Sequence, residues 1–280
     1  MGEDEDVRIL VTNDDGVDSV GLHVLARALR PLGTVVVAAP DREYSGAGAG
    51  LGPLHLLQPE IHRIDLDGVD DAWAVTGPPA LCVMFARLGA FGPPLDLVVA
   101  GINPGANVGR AVYHSGTVGA ALTARAGGMS GIAVSQAVTE GGVEGQGWDE
   151  MLADQRWDTA GTVAAAVVQA LAASPPPAPV VVNVNVPNCE FEDVKGWRRA
   201  AVGAIPPRVV KNVRLDPKIG HESAFHVRME WGDAVVLPED TDGGIVERGE
   251  VAITYLTPLA ADDEADISAA AVALDRLFAS

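Results

Sequence analysis

The amino-acid sequence predicts an α/β fold: a Rossmann-like, doubly wound and mostly parallel sheet with a β-rich C-terminal arm and a closing helix. Hydrophobic residues make up 48% of the 280 residues and aromatic residues only 5%, so the core must be built from Ala, Val, Leu and Ile. Short apolar runs alternate with segments of helical periodicity up to about residue 190. After that point, short strands with Gly, Pro and Asp turns predominate.

The first βαβ unit is predicted from a strand, a helix and a strand within about 35 residues, a length typical of a right-handed crossover. The first strand stops at the turn Asn13–Gly16, because Asn, Asp and Gly favour loops over strands. The helix begins at an Asp18 or Ser19 cap and ends before Pro31. The three elements are Val7–Thr12, Val20–Leu29 and Thr34–Ala39.

The alternation of helices and strands continues through the middle of the chain. Predicted helices cover Pro79–Leu88, Thr117–Ala126, Asp158–Ala173 and, as the closing amphipathic helix, Ile267–Leu277. Predicted strands cover Leu95–Ala100, Ile132–Ser135, Val180–Val186 and Ala252–Leu256, and residues 139–147 (TEGGVEGQG) are predicted as a loop. The change of character near residue 190 predicts a core of residues 1–190 and an arm of residues 191–280 that is not an independent domain.

The acidic composition limits the kinds of partner that the chain can bind. With 38 acidic and 19 basic side chains, the formal net charge is −19, and the sequence contains no concentrated basic stripe. We therefore expect no duplex nucleic acid as a partner. An anionic ligand must be small and held by local devices such as helix N-termini, backbone amides or a bound cation.

The cysteine count and the hydropathy pattern predict a cytoplasmic protein that does not enter a membrane. Cys82 and Cys189 are the only cysteines and no CxxC occurs, which argues against structural zinc and against a disulfide-linked secreted fold. The longest apolar run, Thr162–Ala173, is too short to span a bilayer. The N-terminal segment is acidic, whereas the start of a signal peptide is basic.

Four polar, Gly-rich clusters follow predicted strands or open a predicted helix. They are Asn13–Gly16, Asp41–Gly46, Gly101–Asn107 and Ser115–Thr117. In a doubly wound sheet, ligands bind in the crevice beyond the carboxyl ends of the strands. We therefore expect the four clusters to converge on one binding site at that edge.

The adjacent carboxylates of Asp14 and Asp15 repel each other unless a positive charge lies between them. Gly16 lets the strand break, so that both carboxylates can reach one divalent cation. Ser45 and Asn103 add oxygen donors, and an all-oxygen set favours Mg²⁺ or Mn²⁺ over Zn²⁺. An Asx turn with a helix-capping carboxylate explains the Asp pair equally well, so the local sequence leaves both interpretations open.

The segment Ser115–Thr117 opens an Ala-rich helix and offers backbone amides, hydroxyls and the positive end of the helix dipole to a phosphate. An ordinary Ser or Thr N-cap is a commoner explanation of the same residues.

Competing motifs are weak or absent. The Gly46–Gly52 stretch lacks GxGxxG spacing and is predicted to be a mobile flap, and neither GxxxxGK[ST] nor GxSxG occurs.

Four longer blocks contain these clusters: Ile9–Gly16 (ILVTNDDG), Val37–Gly46 (VAAPDREYSG), Val99–Gly109 (VAGINPGANVG) and Tyr113–Ala121 (YHSGTVGAA). In order and spacing they resemble the signature blocks of the SurE survival-protein family, whose members are metal-dependent phosphatases acting on nucleoside 5′- and 3′-monophosphates. Weaker matches follow at Val182–Pro187 (VNVNVP), Lys195-Gly196, Thr241-Asp242 and Val251–Thr254. The resemblance implies a Rossmann-like core and an arm through which chains form homodimers or homotetramers.

The resemblance also implies roles for individual residues. The metal ligands map onto the set that donor chemistry already indicates, namely Asp14, Asp15, Ser45 and Asn103, of which Asp14 and Asp15 are the catalytic candidates. Phosphate or substrate contacts are expected at Asn13, Gly46, Asn107, Ser115, Gly116 and Thr117. The chain departs from the family pattern at Tyr44, where Arg is usual, at Gly48, and in the segment Thr76–Cys82.

The leading hypothesis is a phosphomonoesterase that uses one divalent cation, Mg²⁺ or Mn²⁺, to hydrolyse nucleoside 5′- or 3′-monophosphates. The sequence does not distinguish whether Asp14 or Asp15 also serves as the base or the nucleophile. The altered loops leave open the same chemistry on a dedicated phosphorylated metabolite. A metal- or nucleotide-binding regulatory protein without turnover is a third interpretation, which the retention of all four ligand positions disfavours.

Overall fold

The computed structural model describes residues 6–56, 58–138, 152–205, 210–233, 235–257, 259 and 268–278. The predicted loop at residues 139–147 and the first residue of the predicted closing helix, Ile267, lie outside this part of the chain. The strands are β1 (Arg8–Thr12), β2 (Thr34–Pro40), β3 (Ile61–Arg63), β4 (Asp71–Val75), β5 (Leu97–Pro104), β6 (Ser130–Gln136), β7 (Val181–Val186), β8 (Trp197–Arg199), β9 (Val210–Pro217), β10 (Phe225–Trp231) and β11 (Val251–Leu256). The helices are α1 (Val20–Leu29), α2 (Pro79–Arg87), α3 (Gly116–Ala126), α4 (Trp157–Ala173), α5 (Asp242–Glu247) and α6 (Ser268–Phe278).

Nine of the described strands form one sheet in the order β3-β4-β2-β1-β5-β6-β7-β11-β8. Every neighbouring pair from β4 to β7 is parallel, whereas β3 and β11 pair antiparallel with the two ends of this block. The predicted α/β fold with a mostly parallel sheet is therefore confirmed. The chain winds outwards from β1 through β2 to β4 and then returns to β5 on the other side of β1. The switch point between β1 and β5 is where open sheets of this kind bind ligands.

Both faces of the sheet are covered by helices. Ile9 and Val11 of β1 belong to a buried cluster that contains Leu22, Leu25 and Leu29 of α1 and Ala160, Ala164 and Val168 of α4. Leu10 points to the opposite face, where it belongs to a cluster that contains Cys82 and Val83 of α2 and Ala120 and Ala124 of α3. Strands buried on both faces must be apolar at consecutive positions, which explains the continuous runs seen in the sequence.

Strand β5 extends further than the sequence indicates. The prediction placed its end at Ala100 and the polar cluster in the following loop, but the strand continues to Pro104. Its pairing with β6 is interrupted after Ala100 and resumes at Asn103, opposite Ser135. Gly101 permits this irregularity because its φ is +137° and an added Cβ would lie 2.3 Å from the Val134 carbonyl oxygen. Asn103 is therefore part of the strand, near its carboxyl end, and not part of a loop.

The arm contains both sheet strands and a separate hairpin. β11 and β8 extend the main sheet beyond β7, so the sheet contains strands from both sides of the predicted boundary near residue 190. The division into a core and a dependent arm stays a prediction. β9 and β10 form a two-stranded antiparallel hairpin of their own. The residues of this hairpin and of α6 are largely exposed.

Candidate active site

Asp14 lies two residues beyond β1 and is almost fully buried, with 3% of its surface exposed. Its Oδ2 accepts a hydrogen bond from the backbone N–H of Gly116 at 3.1 Å, and its Oδ1 accepts one from the Thr117 hydroxyl at 2.5 Å. Both donors lie at the N-terminus of α3, where the helix dipole favours a negative charge. One carboxylate therefore joins the end of β1 to the start of α3.

Burial raises the pKa of Asp14 above its ordinary value, because the charged form loses its hydration. The hydrogen bonds from Thr117 and Gly116 act in the opposite direction, since they stabilise the carboxylate, but burial is the larger effect. A positive charge next to Asp14 would stabilise the ionised form. A buried and oriented carboxylate of this kind can act as a cation ligand or as a proton acceptor.

The turn after β1 is braced by Asn13, which is fully buried. Its Nδ2 donates to the carbonyl oxygen of Gly16 at 3.0 Å and to the hydroxyl of Ser19 at 2.6 Å. Ser19, rather than Asp18, caps α1 by accepting from the N–H of Leu22. The Asn13 side chain therefore stabilises this turn through hydrogen bonds, as in an Asx turn, next to the buried Asp14. The described contacts of Asn13 are structural, and a substrate contact there remains a prediction.

Ser45 lies in the exposed loop after β2, and this loop is tied to the rest of the site at two points. The backbone N–H of Tyr44 donates to the carbonyl oxygen of Asp14 at 2.7 Å, and that of Gly48 donates to the carbonyl oxygen of His114 at 3.0 Å. A Cβ at Gly46 would meet no atom within 4 Å, so this residue borders open space. The loop thus begins beside Asp14 and reaches the start of α3.

Asn103 is half-buried at the end of β5, next to β1 in the sheet. Its Nδ2 donates to the carbonyl oxygens of Gly105 at 2.7 Å and of Pro104 at 3.3 Å. Because the amide hydrogens point back into the chain, Oδ1 is the side-chain atom that can serve a ligand. An amide oxygen suits the predicted cation set.

At the segment Ser115–Thr117 the structure shows the N-cap interpretation. Ser115 is the N-cap of α3, and its hydroxyl oxygen accepts from the N–H of Val118 at 3.1 Å. Gly116 and Thr117 bind the Asp14 carboxylate, so an anion does lie at this helix N-terminus, but it belongs to the chain itself. Contacts of these three residues with a substrate phosphate remain predictions.

Asn107 lies in the site loop, which we define as residues 103–109, and belongs to a buried polar network. Its Nδ2 donates to the Ser135 hydroxyl at 2.8 Å, and its backbone N–H donates to Asn185 Oδ1 at 2.8 Å. Asn183 and Asn185 both donate through Nδ2 to its carbonyl oxygen, at 2.9 and 3.2 Å. The sequence predicts Asn183 and Asn185 as strand residues within a weaker family match, without a role in the site.

Asp242 is a second residue that sequence reasoning did not place at the site. It is 1% exposed, and its carboxylate accepts backbone N–H bonds from Gly109, Gly203 and Gly243, at 2.9 to 3.0 Å. The bond to Gly109 attaches the end of the site loop to the arm. The signal that could have found Asp242 is its position beside Thr241, a typical N-cap residue, at the start of a Gly-rich helix.

The donor set agrees with a hard divalent cation. Asp14, Asp15, Ser45 and Asn103 offer carboxylate, hydroxyl and amide oxygens, and they lie at the carboxyl ends of β1, β2 and β5, which are neighbours in the sheet. Asp15 is half-buried. No group of three or more His, Cys, Asp or Glu side chains that could hold a metal ion occurs in the described part of the chain.

The cysteines do not provide a nucleophile. Burial raises the pKa of Cys82 to about 12, so at neutral pH it is a thiol, buried on the face of α2 that packs against the sheet. The pKa of Cys189 is also raised, first by burial and then by the carboxylates of Asp193 and Glu190. A thiol without thiolate character is a poor nucleophile.

Within the described ranges, none of the helices has both the length and the apolarity needed to cross a lipid bilayer.

Comparison with known proteins places the chain in a family. It matches the family model described as survival protein SurE over residues 9–205. Proteins named 5′-nucleotidase SurE from Haemophilus influenzae (strain PittGG) and Methanopyrus kandleri are each 36% identical to it, with alignments that cover 91% and 94% of this chain and 92% and 95% of theirs. The crystal structure of the SurE protein from Aquifex aeolicus has a TM-score of 0.69 and 28% identity, and the match covers 96% of this chain and 99% of that one.

The family resemblance predicted from the four sequence blocks is confirmed by these matches. The matched residues 9–205 include all the residues predicted to hold the metal and the substrate. The TM-score over nearly the full length of both chains shows that this chain and the solved relative share their fold. The chain belongs to the survival protein SurE family.

Proposed function

We propose that this chain is a divalent-metal-dependent phosphomonoesterase of the cytoplasm that hydrolyses nucleoside 5′- or 3′-monophosphates to nucleoside and phosphate. The observation that carries the proposal is the buried carboxylate of Asp14 at the switch point of the sheet, oriented by Gly116 and Thr117. The name 5′-nucleotidase, given to relatives that align with more than 90% of the chain, supports the same activity.

Asp14, Asp15, Ser45 and Asn103 are the residues that would hold the cation, and we propose Mg²⁺ or Mn²⁺ because all four donors are oxygens. When bound, such an ion polarises a phosphoryl oxygen and lowers the pKa of water. The raised pKa of Asp14 supports the assignment, since the ionised form of this buried group needs a compensating positive charge. The Oδ1 atom of Asn103 is available because the amide hydrogens bind Gly105 and Pro104.

The residues of the chain divide the remaining work. Thr117 and the N–H of Gly116 fix the direction of the Asp14 carboxylate, so its geometry is set before substrate arrives. We assign to Asp14 or Asp15 the proton-accepting or nucleophilic role. The substrate contacts predicted at Asn13, Gly46, Asn107 and Ser115–Thr117 belong to the same proposal.

The proposal is tested by phosphate release from a panel of nucleoside monophosphates, sugar phosphates and polyphosphate with Mg²⁺, Mn²⁺ or a chelator. We expect Asp14→Asn to lower kcat/KM by at least about 100-fold, since loss of even an outer-shell partner costs a metal site 10- to 100-fold. The matched control is Asp18→Asn, which removes the same charge from an exposed residue of the next turn. Wild-type turnover in Asp14→Asn would disprove the mechanism, and a preference for one phosphorylated metabolite over every nucleotide would correct the substrate.

We also propose that the chain assembles into a homodimer or homotetramer through the β9–β10 hairpin. One face of this hairpin carries cross-strand apolar pairs, Val213 with Met229 and Leu215 with Val227, and all four side chains are more than half exposed. The opposite face is polar, with Asp216 bound to two arginines. An exposed apolar hairpin face of this kind favours burial against another copy.

A further inference from the structure

We infer that Asn185, assisted by Asn183, is a positioning residue that fixes the site loop 103–109 for the reaction. The inference rests on the proposed function, because it assigns to these side chains a part in holding Asn103 and Asn107 where the reaction needs them. The described side-chain hydrogen bonds of both asparagines go to Asn107 and not to the predicted metal ligands. Both act through the backbone of Asn107.

Asn185 binds both polar backbone groups of Asn107. Its Oδ1 accepts from the Asn107 N–H at 2.8 Å and its Nδ2 donates to the Asn107 carbonyl oxygen at 3.2 Å. A side-chain amide therefore replaces the two-bond pairing that a neighbouring strand would give. Asn183 adds a second donor to the same carbonyl oxygen at 2.9 Å. This pairing fixes the position and the tilt of the Asn107 peptide groups.

Asn103 is connected to Asn107 through the backbone of Gly105 and Ala106. The Nδ2 of Asn103 donates to the carbonyl oxygen of Gly105 at 2.7 Å, and the N–H of Gly105 donates to the carbonyl oxygen of Gln136 at 2.7 Å. The loop is thus anchored at its start by Gln136, in its middle by the asparagine pair, and at its end by Asp242 through Gly109. The middle anchor is the one whose side chains serve no other described partner.

The placement of both asparagines on one face of β7 supports this role. Val182, Val184 and Val186 point into the core beneath α1 and α4, whereas Asn183 and Asn185 point to the other face and are 0% exposed. Asparagine is disfavoured in strands, and a buried amide loses its hydration, so apolar residues would serve a purely structural strand better. Val and Asn alternate in β7 because the buried backbone N–H and C=O groups of the site loop need hydrogen-bonding partners on the face that carries the asparagines.

Three variants separate positioning from packing. Asn185→Leu removes both bonds to Asn107 while it keeps the number and branching of the side-chain heavy atoms, and Asn183→Leu removes one bond to a carbonyl oxygen that keeps Asn185 as a donor. Thr254→Val is the matched control, because Thr254 lies opposite Asn183 on the next strand, is 3% exposed and makes no described contact with the loop. All three residues are buried, so Thr254→Val reports the loss of a buried polar group on this face of the sheet when the site loop is not involved.

The first measurement is hydrogen exchange of the protein without added metal. We expect Asn185→Leu to accelerate exchange in the peptide that covers residues 103–109, since the Asn107 N–H loses its partner, while Thr254→Val leaves that peptide unchanged. The second measurement is Mn²⁺ affinity by titration calorimetry, and the third is kcat and KM. We expect Asn185→Leu to weaken Mn²⁺ binding and to lower kcat/KM by about 10- to 100-fold, mainly through kcat, with a smaller loss in Asn183→Leu.

The inference is overturned if Asn185→Leu accelerates exchange in the loop but retains wild-type Mn²⁺ affinity and kcat/KM, because the anchor would then be structural only. Equal losses in Asn185→Leu and Thr254→Val would overturn it too. If Asn185→Leu does not fold, Asn183→Leu against Thr254→Val decides the question. A wild-type protein that releases no phosphate from any substrate refutes the proposed function, whereas loop exchange and Mn²⁺ affinity still decide the role of Asn185.

Discussion

At the scale of single residues, Asp14 combines two properties that oppose each other in a folded protein. Its burial raises the carboxyl pKa, and its hydrogen bonds with Thr117 and Gly116 stabilise the charged form in one orientation. When ionised, such a carboxylate contributes little to the free energy of folding, because the cost of its desolvation offsets the stabilisation from its hydrogen bonds. Retaining it is understandable if the carboxylate binds a cation, and strained or costly groups concentrate at functional sites.

Gly116 provides a test of how closely Asp14 must be held. A Cβ at this position would lie 2.7 Å from both Cβ and Oδ2 of Asp14, which is closer than carbon and oxygen atoms can approach. We expect Gly116→Ala to push the carboxylate away and to lower kcat/KM by about 10- to 100-fold, as loss of outer-shell support does at metal sites. The measurement is phosphate release at saturating Mn²⁺.

The control for Gly116→Ala is Gly127→Ala at the other end of α3. There the nearest atom to an added Cβ is Cδ of Arg87, part of a flexible side chain that can move aside. Wild-type activity is expected in this variant. If Gly116→Ala were as active as Gly127→Ala, the close contact between Gly116 and Asp14 would have no part in the reaction.

At the scale of elements, the sequence predicts strands and helices well where burial dictates a simple pattern. The apolar run predicts β1, and one N-cap residue predicts the N-terminus of α3. The places of Asp14, after β1, and of Ser115, before α3, are therefore predictable. The extension of β5 to Pro104 is not predictable in this way. Its polar residues resemble a loop, and only pairing with β6 beyond the irregularity at Gly101 makes them part of the sheet.

The site itself is predictable only in part, because long-range contacts decide the rest. Donor chemistry selects Asp14, Asp15, Ser45 and Asn103 from the sequence, but no local pattern reveals that Asn185 binds a loop 78 positions away. The useful signal is the alternation of Val and Asn in β7. In a buried strand with a paired neighbour on each side, here β6 in parallel and β11 in antiparallel orientation, polar residues at every second position indicate that one face has buried hydrogen-bonding partners.

At the scale of the whole molecule, the switch point of the sheet explains why residues far apart in sequence share one edge. The β9–β10 hairpin, outside that sheet, presents an exposed apolar face. Val213 and its cross-strand neighbour Met229 lie on that face, whereas Asn212 and Glu230 lie on the polar face. On the polar face, hydrogen bonds from Arg228 and Arg214 lower the pKa of Asp216. The polar face is therefore suited to water and the apolar face to a partner.

Assembly is tested by substitutions of adjacent residues on the two faces. We expect wild-type protein at micromolar concentration to have a mass of at least two chains of 28.9 kDa in light scattering. Val213→Glu should shift the mass towards one chain, because a carboxylate would be buried without a partner. Asn212→Lys is the control: it adds a charge on the polar face, opposite Glu230, and should leave the mass unchanged. A wild-type protein that stays monomeric would contradict the proposed role of the hairpin.

The most direct test of the central claim is the position of Mn²⁺, located by anomalous diffraction from crystals of the protein grown with this ion. We predict one strong peak beyond the carboxyl ends of β1 and β5, within coordination distance of oxygen atoms from Asp14, Asp15, Ser45 and Asn103. Asp14→Asn crystals treated identically should lack the peak or show it weakened. A peak bound by other residues, with these four side chains directed away from it, would contradict the account.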